Sequence, residues 1–304
     1  MTFNPHHVLL GGTGVVARET AAALTEKGYG VMSVSRSGAP SACGNSRAAD
    51  LRDSTAVQDA LRGAEVAYLT VGVPYTLKAW RTEWPVILQN TIEACLASGT
   101  HLVYFDNVYA YGSATQPMTE STPIEPGSKK GHVRATLLRM LGDAARDRGL
   151  TCTVARSADF YGPGATTSVF NTFVIDRIRD GKEPTWLFDA RQPHSMTYTP
   201  DIGRALAVLG TDPQARGRTW HVPTAPALTG GEYMALASGS SRPKTMSATT
   251  MRIGALFHGG AREALEMAYQ NTRPYLLDST LFERTFGIGP TAYEVAIPSL
   301  VTTG

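Results

Sequence analysis

Cysteine is scarce in this 304-residue chain, and the three present, Cys43, Cys95 and Cys152, are an odd number without ligand-like spacing. That usage argues against a disulfide framework and against a zinc site, and leads us to expect reduced thiols in a cytoplasm. Cys95 and Cys152 lie in apolar stretches and read as packing residues. Long apolar runs are missing too: none approaches the roughly 20 residues of a membrane span, and no signal-peptide core opens the chain, so neither insertion nor secretion is expected. An excess of one charge is also lacking. A net charge of +2 argues against both a nucleic-acid surface and a polybasic membrane anchor. Repeats and low-complexity segments are absent. What remains is ordinary globular composition, 42% hydrophobic and 18% charged, on a chain long enough for one large domain or two.

Glycine, by contrast, is placed where chemistry uses it. Residues 6 to 18, HHVLLGGTGVVAR, read as a buried strand (Val8-Leu9-Leu10), a tight turn and a helix running on to Lys27. In Gly11-x-x-Gly14-x-x-Ala17 the first glycine suits the turn, the second lets the main chain close on a pyrophosphate, and small Ala17 lets helix lie on strand. The helix start, with the N–H groups of Thr13, Gly14, Val15 and Val16 nearby, then offers donors and a positive dipole end to an anion. A second strand follows, Tyr29 to Ser35, ending at Arg36. An acid about 20 residues past the glycines marks a ribose 2′-OH site, whereas an arginine accommodates a 2′-phosphate. No Asp or Glu lies between Lys27 and Asp50. The expectation is therefore NADP(H) rather than NAD(H), with Arg36 on the phosphate and Ser35 or Ser37 as added donors.

Strand and helix then alternate as in a parallel sheet. A short strand spans about 47 to 49, Ser54 caps a helix from Thr55 to Arg62, and an apolar strand runs from Val66 to Val71. Val71-Gly72 is a small-residue strand end that a ligand can approach. A long helix from Lys78 to Ser98, interrupted near Pro85, precedes a fifth strand, His101 to Phe105.

These segments together resemble the extended short-chain dehydrogenase/reductase family, also called the NAD-dependent epimerase/dehydratase family. GGTGVVA resembles its glycine turn, AADLRD its adenine-contacting Asp50-Leu51, NTIEAC its fourth helix and VYFDNVYAYG its fifth strand. ARSADFYGPG, TYTPDIGRAL and DSTLFERTFGIGPT resemble its later segments in order. The resemblance implies a doubly wound parallel Rossmann sheet with a smaller C-terminal substrate lobe. The dinucleotide domain would span 1–165 with a contribution from about 195–229, and the lobe 166–194 and 230–304. Phe170, Trp186, Phe188 and Tyr269 are among the aromatics of that lobe. A homodimer is expected on the resemblance alone.

The departures concern the chemistry. The family's Ser or Thr, five residues before the strand-five glycine, falls on Asn107, and its Tyr-x-x-x-Lys falls on Lys130 and Arg134. Trp84 stands where members often carry asparagine. Lys130 and Arg134 are one helical turn apart, so the two cations would share a face, with Arg134 depressing the pKa of Lys130. Lys130 would then face the substrate as acid or amine nucleophile, and Arg134 would hold the cofactor ribose or phosphate. Asn107 offers an amide to a substrate oxygen but relays no proton, and it reads equally as a turn residue. Tyr109 is a phenol candidate, whereas Tyr111 reads as packing and His132 as surface. Asp106 and Asp159 are candidate bases, the latter pairing with Arg156 or Lys130; His194 is a pocket candidate.

Three functions follow, in this order. The first is an NADP(H)-dependent reductase of a carbonyl, imine or activated alkene of a small molecule. The second is a redox-neutral epimerase, dehydratase or cyclase on the same scaffold. The third is a non-enzymatic NADP-binding sensor. No basic cluster suited to a nucleotide-sugar pyrophosphate is evident in the lobe, which favours a smaller or more apolar substrate.

Overall fold

Apolar runs too short for helices become the central strands. In a computed structural model, which describes residues 6–41, 44–114, 116–239, 244–257 and 259–302, they are β1 (His7–Leu10), β2 (Val31–Ser35), β3 (Ser46–Ala48), β4 (Val66–Leu69), β5 (His101–Asn107) and β6 (Cys152–Ser157). Cys43 lies outside the described residues. Between the strands run α1 (Val15–Glu26), α2 (Ser54–Leu61), α3 (Leu77–Ser98) and α4 (Lys129–Arg148). The later elements are β7 (Asp159–Tyr161), α5 (Asp176–Arg179), β8 (Thr185–Leu187), β9 (Pro193–His194), β10 (Met196–Tyr198), α6 (Thr199–Thr211) and β11 (Thr219–His221). After them come β12 (Leu228–Thr229), α7 (Gly230–Ser238), β13 (Lys244–Met246), α8 (Ala248–Phe257), α9 (Gly259–Glu266), α10 (Tyr269–Thr272), α11 (Thr280–Phe286) and α12 (Tyr293–Thr302).

Seven strands pair in the order β11-β6-β5-β4-β1-β2-β3. β1 lies parallel to both β2 and β4, with Leu10 opposite Val34 on one side and Leu69 on the other. The order steps outward from β1 in both directions, as in the doubly wound sheet expected from the sequence. Val8, Leu9, Leu10 and Leu69 are wholly buried, the mark of a strand covered on both faces.

Contacts divide the chain into two compact units. The first comprises Met1–Asp106, His132–Arg156 and Ile202–Val222, and the second Asn107–Gly131, Ser157–Asp201 and Pro223–Gly304. The second unit thus takes in 107–131 and 157–165, which the division drawn from the sequence leaves in the first. Its β7–β10 and β8–β13 ladders are parallel and β9–β12 antiparallel. Its aromatic core stacks Trp186 on Tyr233, ring centroids 5.8 Å apart, and sets Tyr293 edge-on to Tyr233 at 4.9 Å. A reciprocal Thr229/Glu232 capping box starts α7.

Local expectations shift at two helices. Asp53, not Ser54, caps α2, its carboxylate accepting from the N–H groups of Thr55 and Ala56. Both residue types cap well, and the carboxylate adds charge at the positive helix end. Helix α3 runs without a break through Pro85, because burial of Trp80, Trp84, Ile87, Leu88 and Ile92 outweighs the one backbone hydrogen bond that proline removes.

Two histidines at the starts of sheet strands make the fold acid-sensitive. His7 Nδ1 meets Tyr68 Oη at 2.9 Å and His101 Nε2 meets Thr153 Oγ1 at 2.9 Å. Burial lowers each ring to about 4. In the unfolded chain both protonate near pH 6.5, so their stabilisation is complete above that pH and is lost as pH falls toward 4. The loss approaches about 3 kcal/mol per ring, as an upper figure. His7→Gln is expected to flatten the dependence of Tm on pH in that window; an unchanged slope would show that the ring titrates normally in the fold.

Candidate functional site

The glycine turn is built as its spacing requires. Gly11 has φ +103°, and a Cβ there would lie 2.4 Å from Val71 Cα, so β1 and the end of β4 approach backbone to backbone. The Gly11 and Gly12 N–H groups both donate to Val34 O, at 2.9 and 2.8 Å, fixing the turn to β2. Gly14 is the N-cap of α1 and supplies no side-chain cap; the first turn carries no acid. Thr13 is exposed and Val15 half-buried, while the Val16 side chain is in the core, so Val16 offers a ligand only its backbone. Ala17 is wholly buried, as close packing of α1 demands. Gly72 has nothing within 4 Å of a Cβ built on it.

At the end of β2, Arg36 is exposed and Ser35 Oγ is a buried hydroxyl without a hydrogen-bond partner among the described residues. Asp50, the expected adenine contact, is bound by Arg52, Nη2 to Oδ2 2.7 Å. Hydrogen bonds from Arg52 hold its carboxyl at about 2, with Arg36 adding a weaker pull. Leu51 is buried, and its carbonyl accepts from Asn90 Nδ2 at 3.0 Å.

Arg134 is buried within the first unit. Its Nη1 donates to Tyr104 Oη at 2.8 Å and lies 3.4 Å from Asp106 Oδ1. Its guanidinium sits over the rings of Trp84 and Trp80, 4.2 and 4.6 Å from their centroids. Asp106, with a wholly buried side chain, also lies 3.6 Å from Arg156 Nε. Trp84, noted in the sequence only as a lost asparagine, is thus a platform for the cation. The expectation that Arg134 reaches a cofactor ribose gives way to a guanidinium engaged by a phenol, a carboxylate and two indoles. Burial pushes the Tyr104 phenol up.

In the second unit, Asn107 Oδ1 accepts the Tyr109 N–H at 3.0 Å, the turn role weighed for it. Tyr109 opens a single 3-10 turn, Tyr109–Tyr111, and is mostly buried. Tyr111 packs with Val108, Met118, Ala158, Tyr275 and Leu277. Gly131 follows Lys130 because a Cβ there would stand 2.6 Å from Tyr109 O.

Lys130 departs furthest from expectation. Its side chain is wholly buried, and its ammonium is held by Glu263 and by Glu266, the latter at 3.0 Å. Its backbone N–H also donates to Glu266 Oε1 at 2.9 Å. Burial alone would raise the Glu266 carboxyl, but the Lys130 hydrogen bonds outweigh it and leave it lowered. The amine is therefore an ion-pair partner rather than an open acid or nucleophile. Glu263 and Glu266 have no sequence signal linking them to a lysine 136 residues from the latter.

Asp159, expected to pair with Arg156 or Lys130, meets His194, Oδ2 to Nε2 3.1 Å. His194 Nδ1 meets Gln270 O at 2.9 Å, and the ring stacks on Tyr275 at 5.6 Å between centroids. His132 is exposed, as expected. No group of three or more His, Cys, Asp or Glu fit to hold a metal occurs among the described residues, and no helix there is long and apolar enough to cross a membrane.

Comparisons with known proteins agree with this construction. A curated relative, 3beta-hydroxysteroid-dehydrogenase/decarboxylase isoform 2 of Arabidopsis thaliana, is 24% identical over 249 residues. That alignment covers 75% of this chain and only 42% of the relative, so the chain spans about two-fifths of that protein's length. A dTDP-glucose 4,6-dehydratase from Streptomyces venezuelae, solved with NAD bound, superposes with a TM-score of 0.75 at 18% identity, covering 97% of this chain and 95% of that one. A UDP-glucose 4-epimerase from Thermotoga maritima gives 0.76 at 18% identity, covering 97% of each chain. At such identity the two structures speak for the fold. The NAD dependent epimerase/dehydratase family model matches residues 7–222, most of the chain, and the chain belongs to that family.

Proposed function

We propose that this chain is an NAD(P)(H)-dependent enzyme that reduces a carbonyl, imine or activated alkene of a small molecule, with NADP(H) as the preferred coenzyme. The observation that carries the reading is the β1–α1 turn: backbone contact at Gly11, and a helix start whose N–H groups no side chain caps. The residues present fit a phosphorylated dinucleotide. Gly11, Thr13, Gly14, Val15 and the Val16 backbone would hold the pyrophosphate, Asp50 and Leu51 would border the adenine, and Val71 and Gly72 would border the coenzyme at the end of β4. The orphaned Ser35 hydroxyl beside exposed Arg36 suits a 2′-phosphate, which asks for a cation and a donor. When bound, the coenzyme supplies the hydride.

Arg36→Ala is expected to weaken NADPH binding about tenfold or more, the worth of one charge-assisted hydrogen bond, while leaving NADH within a factor of two. Calorimetric titration with both coenzymes reads this directly, and an equal loss for the two would remove the phosphate assignment. Turnover is tested by following absorbance of the reduced coenzyme across a panel of ketones, imines and enones; oxidation of the coenzyme by none of them, despite tight binding, counts against a reductase.

The family supports a second reading. Its solved relatives include an epimerase and a dehydratase. A redox-neutral reaction would form product without net loss of reduced coenzyme, and product analysis by mass spectrometry beside absorbance separates the two. A homodimer is proposed for the assembly, to be checked by light scattering.

A further inference from the structure

We propose that Arg52 is a positioning residue for coenzyme selectivity: it takes up the carboxylate of Asp50 and so keeps that acid from claiming Arg36, the cation assigned to a 2′-phosphate. This rests on the coenzyme preference proposed above, and every residue in it belongs to the first unit. Strands β2 and β3 run parallel with Ser35 opposite Ala48, and the Ala49 N–H donates to Ser35 O at 2.9 Å. Arg36 and Asp50 are the next residues beyond that bond on their two chains, so they leave the sheet side by side. The sheet therefore sets an acid beside the phosphate cation. Left to itself, a carboxylate in this place would pair with the arginine and repel a phosphate.

The chain that follows directs the acid elsewhere. The Arg52 N–H donates to Asp50 Oδ1 at 3.0 Å, a local turn bond that holds the carboxylate against its own chain. The Arg52 guanidinium meets both oxygens, Nε to Oδ1 at 3.0 Å and Nη2 to Oδ2 at 2.7 Å, a fork that a lysine cannot make. Helix α3 holds this turn from its other side. Glu83 Oε2 lies 3.8 Å from Arg52 Nη1, and Asn90 Nδ2 donates to Leu51 O at 3.0 Å. Glu83 and Asn90 are seven residues apart, about two helical turns, and so share a face. Asp53, the other acid of the turn, gives its N–H to Asp50 O and its carboxylate to the α2 cap. Arg36 also acts on the Asp50 carboxyl, more weakly than Arg52 does.

Without the Arg52 side chain, the Asp50 carboxylate turns to Arg36, the other cation that acts on it. NADPH must then displace the carboxylate before its phosphate reaches the guanidinium, and it meets an uncompensated negative charge. NADH, whose ribose carries a neutral hydroxyl there, meets neither cost. The Arg52 and Asp50 side chains are 46% and 40% exposed, so water screens their pairing and the selectivity at stake is that of a surface ion pair.

The test is calorimetric titration of the full-length protein with NADPH and NADH, read as the ratio of the two Kd values, so that a change in adenine binding common to both cancels. Arg52→Gln is expected to shift the ratio against NADPH by about fivefold, the upper end for an exposed ion pair. In an Arg36→Ala background the same substitution is expected to leave the ratio within about twofold, because Arg52 acts through Arg36. Asp50→Asn added to Arg52→Gln is expected to bring the ratio back to within about twofold of the wild type. A second readout needs no coenzyme. In the apoprotein, a carboxyl 13C titration is expected to place Asp50 at about 2, higher in Arg52→Gln, and higher again when Arg36→Ala is added. The proposal is overturned by a smaller than twofold shift in Arg52→Gln, by a larger one in the Arg36→Ala background, by no recovery with Asp50→Asn, or by no second rise of the Asp50 carboxyl. Any of these in a wild type that prefers NADPH overturns this inference alone. A wild type that binds neither coenzyme, or binds NADH as tightly as NADPH, overturns the coenzyme preference proposed above and this inference with it.

Discussion

Asp106→Ala is expected to destabilise the protein by about 3–5 kcal/mol, the usual cost of removing one partner from a buried ionic cluster. The Asp106 carboxylate is wholly buried and lies within 3.4 Å of Arg134 and 3.6 Å of Arg156. Both arginines are themselves nearly inaccessible, with 6% and 4% exposure, so removal of the anion they share leaves two cations that water does not reach. The indoles under Arg134 recover part of the loss, since a cation over a desolvated aromatic face is worth up to about 2 kcal/mol. Against a typical total of about 5–15 kcal/mol the change is large enough to threaten folding. Asp106→Asn, which keeps the shape and one acceptor, serves as the second variant and is expected to lose less. Urea unfolding of both, with equal m-values, measures the difference; a loss below about 1 kcal/mol for the alanine variant would mean that the cluster owes its stability to the indoles and Tyr104 instead.

This cluster also shows where reading the sequence stops. Trp84 and Arg134 are legible as departures from a family pattern, yet nothing in their spacing says that one supports the other, because α3 and α4 meet only through tertiary packing. The β1–α1 turn is legible for the opposite reason. Its requirements are local: a positive φ at Gly11, a small residue at Ala17, a donor-rich helix start. The doubly wound sheet is likewise carried by short apolar strands alternating with helices. Errors of detail arise where two residues satisfy the same rule, as Asp53 and Ser54 do for the α2 cap, or where packing overrides a local penalty, as at Pro85. The Lys130 reading fails because charge partners distant in sequence decide what an amine can do. The same holds for Asp159, whose partner His194 is recognised in the sequence only as an isolated pocket candidate.

Gly11→Ala is expected to reduce coenzyme affinity at least about 100-fold, equivalent to about 2.7 kcal/mol. A φ of +103° is strained for alanine, and the new Cβ would lie 2.4 Å from Val71 Cα and 2.6 Å from Val71 N. Those are main-chain atoms, so no rotamer change relieves the contact; either the turn or the end of β4 must move. The turn is tied to β2 through two N–H groups sharing Val34 O, and its displacement shifts the donors aimed at the anion. Gly12→Ala offers a graded comparison, because its Cβ would meet a side-chain atom, Ser33 Oγ, at 2.4 Å, and its φ is not in the left-handed range. Both variants disturb the fold as well as the site, so a third separates the two effects. Gly72→Ala has nothing within 4 Å of the added methyl and is expected to leave Tm unchanged. A coenzyme running along the end of β4 would nevertheless meet that methyl, and calorimetry is expected to show weaker binding by about tenfold. Equal affinity in Gly72→Ala, with the Gly11→Ala loss intact, would confine the coenzyme contact to the glycine turn and remove Gly72 from the site.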